Sequence, residues 1–165
     1  MSLRTDILII NFPSPCFAGQ QGRTFLRKLY CLDLGSSTWT RISNDSLPTA
    51  RAGHAMVAVH PRAGSGTVVS GIFLFGGQGN KLTNDLHRLD TETGWFTALS
   101  PKGPLPLPRR GMSLTYDGDD LLVCFGGTLG TAMDNALNVY SLKRNEWSQP
   151  TQVRSVTRWN SSPLI

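Results

Sequence analysis

The sequence predicts an all-β fold in which one small antiparallel sheet is repeated about three times along the chain. The 165 residues are 39% hydrophobic and include 17 glycines and 10 prolines, without long apolar stretches of helical periodicity. Two apolar runs, 72–77 and 121–127, end in a glycine pair, and Trp95 and Trp147 follow them. A unit that recurs after about 50 residues indicates a repeat architecture.

A weaker copy of this unit comes first in the chain. Sliding the middle unit back by 57 residues aligns Gly19 with Gly76 and Gln20 with Gly77. Trp39 then falls where a tryptophan is expected. We interpret the first unit as a degenerate repeat that has lost its second glycine.

A second motif opens the middle and last units. Residues 51–54 are Arg-Ala-Gly-His and residues 109–112 are Arg-Arg-Gly-Met, and Pro48 and Pro106 precede them. A lone Gly-Gly or Trp would carry little weight, but several markers in one register indicate a true repeat.

At these residues, over about 14–162, the sequence resembles the kelch repeat family. That family's unit has an arginine-glycine-histidine start, an apolar strand closing on two glycines, and a later tryptophan. Gln20 and Met112 depart from this pattern. The resemblance implies a kelch-type β-propeller fragment of about three four-stranded antiparallel blades. We expect blades at about 6–43, 53–99 and 111–150, and the start of a fourth at 158–165.

In the second blade we expect strands near 54–60, 71–77, 85–91 and 94–99. Ile7–Ile10 falls where the inner strand of the first blade belongs. Glycine pairs permit positive φ and close backbone approach, and the tryptophans can cover contacts between blades. The recurring arginines suggest repeated backbone or carboxylate contacts. The expected structural markers are Gly19, Gly76, Gly77, Gly126, Gly127, Trp39, Trp95, Trp147, Arg51, Gly53 and His54.

The net charge of +5 is spread along the chain, which favours a solvated surface over a nucleic-acid site. The three cysteines lack metal-ligand spacing, and an odd number of them fits a reducing compartment best. Cys16 and Cys124 lie among apolar residues, so we expect their side chains to be buried. Ile7–Ile10 is too short for a membrane span or signal peptide. A cytoplasmic location is the default expectation.

Catalytic, metal and cofactor sites are not indicated. The segment from Gly76 to Lys81 lacks the spacing of a phosphate loop, and Asp117–Asp120 fits a hairpin turn better than a calcium loop. The favoured function is a protein-interaction module, a scaffold or adaptor. The alternative is a fragment of a propeller enzyme of the galactose oxidase or small-molecule specifier type. A basic surface for RNA or acidic lipid is the third possibility.

Binding is expected on the loops before the first and third strands of each blade, because these loops emerge on one face of the scaffold. The partner is another protein, with an acidic or carboxylate-bearing peptide as the candidate ligand. Open blade edges also suggest self-association. The candidate contact residues are Arg23, Gln78, Asn80, Lys81, Lys102, Arg109 and Arg110.

Overall fold

The computed structural model describes residues 14–17, 19–62, 64 and 69–150. Within these residues all regular secondary structure is β-strand. The strands are β1 (Ser14–Phe17), β2 (Gln20–Gln21), β3 (Thr24–Phe25), β4 (Leu29–Asp33), β5 (Thr38–Ile42), β6 (Ala55–Val59), β7 (Gly71–Gln78), β8 (Leu82–Leu89), β9 (Phe96–Leu99), β10 (Ser113–Tyr116), β11 (Leu121–Phe125), β12 (Leu137–Ser141) and β13 (Glu146–Ser148).

The strands form successive antiparallel sheets in chain order. Two sheets have four strands each, β6-β7-β8-β9 and β10-β11-β12-β13, and the first has β1-β4-β5 with a small β2-β3 hairpin beside it. This confirms the expected all-β fold with repeated four-stranded blades. The inner strand expected at Ile7–Ile10 and the fourth blade expected at 158–165 lie outside the described residues, so the outer blade boundaries stay predictions.

Glycine pairs sit where the sheet backbone must bend. In the second blade the pairing of β7 with β8 shifts between Phe75 and Gly77. Gly76 and Gly77 have φ of 65° and 105°, values that disfavour a side chain. A Cβ at Gly76 would also lie 2.8 Å from the carbonyl oxygen of Arg109 in the next blade. The predicted need for positive φ and close approach is therefore confirmed.

The structure corrects the alignment of Gly19 by one residue. The amide of Gly19 donates to the carbonyl of Arg51, as the amide of Gly77 donates to that of Arg109. Its φ of 125° also resembles that of Gly77 more than the 65° of Gly76. Gly19 therefore corresponds to Gly77, the second glycine of the pair. The 57-residue offset preserved the match between apolar positions of the two units. The sequence alone therefore did not reveal this alignment error of one residue.

The core lies between neighbouring blades. Trp147 of the third blade is 1% exposed and its ring centroid lies 5.1 Å from that of Phe75 in the second blade. Phe96 of the second blade lies in a buried cluster with Leu29 of the first. The second and third blades thus each use one aromatic residue of the fourth strand to cover the preceding blade.

Two of the three tryptophans expected between blades do not cover such a contact. Trp95 is 53% exposed, because it lies in the turn before β9 and its neighbour Phe96 takes the buried position. Phe96 pairs with Leu89 as Trp147 pairs with Tyr140, so Phe96 is the true counterpart of Trp147. Trp39, on β5, is equivalent in position to Trp147, but it is 48% exposed. The expectation that all three rings are buried between blades holds only for Trp147.

Cys124 is buried as expected, while Cys31 is partly exposed and the side chain of Cys16 lies outside the described residues. Burial raises the pKa of the Cys124 thiol to about 11. That thiol is therefore protonated at neutral pH and serves as a small apolar side chain.

Candidate functional site

A buried arginine fixes the loops at one end of the second blade. Arg51 is 1% exposed, and its guanidinium binds the Asp85 carboxylate through two hydrogen bonds of 2.6 and 2.7 Å. It also donates to the carbonyl oxygen of Gly76 and to the hydroxyls of Thr49 and Thr83. Its Nε donates to the Thr49 carbonyl. A guanidinium carries five N–H groups, and these contacts use all of them.

The pKa of Asp85 is held well below its usual range. Burial opposes ionisation of this carboxyl, but hydrogen bonds from His87 and Arg51 outweigh that effect. Asp85 therefore stays ionised and Arg51 stays paired throughout the neutral pH range. We conclude that Arg51 supports the loops from below and is not available for a ligand.

Arg109 repeats this arrangement in the third blade, and this corrects its expected role. It is 1% exposed, binds the Asp134 carboxylate at 2.6 Å and donates to the carbonyl of Gly126 at 3.0 Å. A buried, paired guanidinium is unsuited to contact a partner. Arg109 is thus a structural arginine like Arg51 and not one of the contact residues.

Both arginines also tie neighbouring blades together. The carbonyl of Arg51 accepts from Gly19 of the first blade, and that of Arg109 accepts from Gly77 of the second. The side chain of each arginine meanwhile binds within its own blade. Each blade start is thus fixed on both sides, which holds the loops between blades in place.

Above Arg51 lies a groove of about 530 Å³ between the first and second blades. Three segments form it: the β2-β3 hairpin, the linker before β6, and the turn between β7 and β8. The linker is held by Arg27, which donates to the carbonyl of Leu47 at 2.7 Å. The lining residues are Arg23, Thr24, Phe25, Thr49, Ala50, Gly79, Asn80, Lys81 and Thr83.

The groove is positively charged. Arg23 and Lys81 lie on exposed segments at its rim, and none of the described lining residues is acidic. The hydroxyls of Thr24 and Thr49 and the amide of Asn80 add hydrogen-bonding groups, and Phe25 adds an apolar surface. This set suits an anionic ligand with some apolar character.

The structure brings three of the seven candidate contact residues into this groove: Arg23, Asn80 and Lys81. Gln78 lies beside it at the end of β7, where its backbone pairs with Ala52. Lys102 and Arg110 are exposed but lie elsewhere, with backbone pairing to Glu146 and Thr128.

Sequence reasoning missed the threonines, Phe25 and Ala50, because they carry no charge and no repeat signature. The only signal for these residues in the sequence was their position next to an arginine. Thr49 and Ala50 stand directly before the buried Arg51, and Thr24 and Phe25 stand beside Arg23.

His54, for which a structural role is expected, lies next to this framework. It is 8% exposed, and a Cβ on Gly77 would approach its Cβ to 3.0 Å. Burial, assisted by the nearby Arg51 charge, lowers the pKa of His54 to about 4. The imidazole is therefore neutral at neutral pH.

Within the described part of the chain, no cluster of three or more His, Cys, Asp or Glu side chains is arranged to hold a metal ion. In the same residues no helix is long and apolar enough to cross a membrane.

Successive four-stranded blades are joined by glycine pairs and buried arginines, and they carry loops at one end. These features define a propeller-type repeat protein. The model of the KLHDC2/KLHL20/DRC7 Kelch-repeats domain matches residues 14–123 and 58–163. The chain belongs to the kelch-repeat family. Kelch-repeat domains serve generally as protein-interaction modules.

Individual relatives are much longer than this chain. It is 34% identical to the Rho GTPase-activating protein gacHH of Dictyostelium discoideum over 112 residues, which cover 62% of this chain and 7% of that protein. It is 34% identical to acyl-CoA-binding domain-containing protein 4 of Arabidopsis thaliana over 129 residues, covering 74% and 18%. Kelch domain-containing protein 10 of Xenopus tropicalis is 28% identical over 131 residues, covering 75% and 30%. The chain therefore spans less than a third of each of these relatives.

Proposed function

We propose that this chain is a protein-interaction module that binds an acidic or carboxylate-bearing segment of a partner protein in the groove between its first and second blades. One observation carries the proposal. Arg23 and Lys81, from two different blades, converge on a single groove of about 530 Å³ whose described lining has no acidic side chain.

The support beneath the groove favours binding over a merely solvated surface. The loops that carry Thr49 and Thr83 are fixed by the six hydrogen bonds of the Arg51 guanidinium. Loops held by a rigid scaffold lose little conformational freedom when a ligand binds. Arg23 can form a bidentate pair with a carboxylate, while Lys81 adds a point charge from the second blade.

Selection from a random peptide library displayed on phage, with the immobilised chain as bait, tests the proposal without knowledge of the natural partner. We expect the enriched peptides to carry Asp, Glu or a free C-terminal carboxylate. Peptides without such groups would contradict the proposed ligand chemistry.

The binding site is then tested with two matched double variants. Arg23→Glu/Lys81→Glu reverses both groove charges, and Lys102→Glu/Arg110→Glu makes the same net charge change outside the groove. We expect the first to weaken the enriched peptide at least tenfold, about 1.4 kcal/mol, by fluorescence polarisation. The second should change affinity less than threefold. Greater weakening by the second would place the ligand outside the groove.

A further inference from the structure

The connection between the second and third blades carries two leucines on the protein surface. It covers residues 100–112, between β9 and β10, and includes Pro104, Pro106 and Pro108. Leu105 is 49% exposed and Leu107 is 61% exposed. Apolar side chains grouped at a surface mark interaction sites, whereas single exposed ones need no explanation.

The three prolines restrict the backbone of this connection. Each proline fixes its own φ near about −65°, and the residue before a proline is held in the extended region. Every position from 104 to 108 is restricted in this way, and the polyproline II conformation, with about three residues per turn, satisfies both limits. Burial follows the same period, since Pro106 and Arg109 are buried and the residues beside them are exposed. One edge of the segment therefore faces the protein, and two edges face outward.

Hydrogen bonds to β8 hold the buried edge in place. The side-chain amide of Asn84 donates to the carbonyl of Pro106 at 2.8 Å, and the backbone amide of Arg109 donates to the carbonyl of Thr83 at 3.0 Å. The Nε of Arg109 also donates to the carbonyl of Leu107 at 2.9 Å. The leucines are therefore exposed on a segment that is fixed to the second blade.

The two outward edges are largely apolar. Pro104, Leu107 and Arg110 stand three residues apart, so they lie along one edge. Leu105 and Pro108 lie along the other edge for the same reason. All five side chains are exposed. A polyproline II ligand of this form offers two edges to a partner while its third edge remains on its own protein.

Positive charge accompanies this apolar surface. Lys102 precedes the segment and Arg110 ends it, and both residues are exposed. Residues 93–116 contain no Asp or Glu. A complementary partner therefore carries acidic side chains at the rim of its binding surface.

We propose that residues 104–110 are a docking segment for a partner domain of the SH3 or WW type, whose aromatic-lined groove binds polyproline II ligands. The two apolar edges fill the groove, and acidic side chains at its rim pair with Arg110. A segment already held in the bound conformation loses little conformational entropy on binding. It joins the second blade to the third, whereas the peptide groove lies between the first and the second. The two sites are therefore tested independently.

Binding of the 165-residue chain to a panel of purified SH3 and WW domains, measured by biolayer interferometry, tests the proposal. We expect at least one domain to bind, and Leu105→Ser and Leu107→Ser should each weaken that binding about tenfold or more. Leu34→Ser is the matched control, because Leu34 is also 49% exposed but lies in the first blade. This control should change the affinity less than about threefold.

The charge at the end of the segment is tested with the same domain. Arg110→Glu should weaken binding more than Arg41→Glu, which reverses an exposed arginine on β5. Urea denaturation should show wild-type stability for every variant, since each changed side chain is exposed.

Three results would overturn the proposal. If no domain of the panel binds, the leucines belong to contacts within a longer protein. Binding that survives both leucine substitutions, or that falls equally with Leu34→Ser, would place the contact outside the docking segment. Equal weakening by Arg110→Glu and Arg41→Glu would exclude the proposed acidic rim.

Discussion

Arg51 and Asp85 form a bidentate ion pair, with guanidinium-to-carboxylate distances of 2.6 and 2.7 Å, beneath the loops that shape the groove. The guanidinium is 1% exposed, whereas the carboxylate retains some contact with solvent. Such a pair is costly to break, because the remaining buried charge loses its partner.

We expect Asp85→Asn to lower the free energy of unfolding by about 3 kcal/mol, since breaking a buried ion pair typically costs about 3–5 kcal/mol and solvent access to Asp85 moderates the loss. Urea denaturation followed by tryptophan fluorescence measures the change. Asp45→Asn makes the same chemical change at an exposed position and should cost less than about 0.5 kcal/mol. Equal effects from the two variants would contradict the structural role of the pair.

The buried and exposed tryptophans should respond very differently to truncation. Trp147→Ala removes a ring packed between blades and should destabilise the protein by about 3–5 kcal/mol. Trp95→Ala removes a half-exposed turn residue and should cost less than about 1 kcal/mol. Thermal and urea unfolding of both variants check this difference. A larger loss for Trp95→Ala would mean that Trp95, not Phe96, faces the first blade.

Acidification should weaken the fold through His54. Its pKa is about 4 in the folded protein against 6.5 unfolded, so between these values the unfolded chain binds more protons. Stability is therefore full above about pH 6.5 and is lost as the pH falls towards 4, by about 3 kcal/mol from this residue. Denaturation curves at pH 7.5, 6.5, 5.5 and 4.5 should show this decline. In His54→Asn the decline over the same window should be shallower, and an unchanged slope would show that other groups cause it.

Thiol labelling should distinguish the two described cysteines. Cys124 is 0% exposed, and burial raises its pKa to about 11, so its thiolate is scarce and inaccessible. Iodoacetamide at pH 8, followed by peptide mass spectrometry, should modify Cys31 well before Cys124. In urea the two should react at similar rates. Rapid native labelling of Cys124 would show that the third blade opens readily.

Strand order and the glycine bends could be predicted because both depend on local pattern: alternating apolar residues and a glycine pair with positive φ. The tryptophan assignment was wrong for Trp95 because adjacent strand residues face opposite sides, so an error of one residue exchanges buried for exposed. Only the pairing of Phe96 with Leu89 resolves that choice.

The groove could be predicted in part. Loop order placed Arg23, Asn80 and Lys81 on one face, and the structure brings them together. Arg109 resembled them in sequence but is buried, because Asp134 and a glycine carbonyl satisfy its guanidinium. The position of Arg109 in the repeat was the sequence signal that this residue is structural. A residue type that recurs at the same place in every unit is more often structural than specific to one partner.

The glycine bends and the contacts between blades do not depend on the length of the loop that connects the first two strands of a blade. In the second blade that connection covers residues 60–70, and in the third it covers only 117–120. Ala55 still pairs with Phe75 as Ser113 pairs with Phe125. Extra chain at this end of the sheet is therefore absorbed without a change of register. The end opposite the groove is thus the place where a fluorophore or affinity tag could be grafted while the partner-facing loops keep their shape.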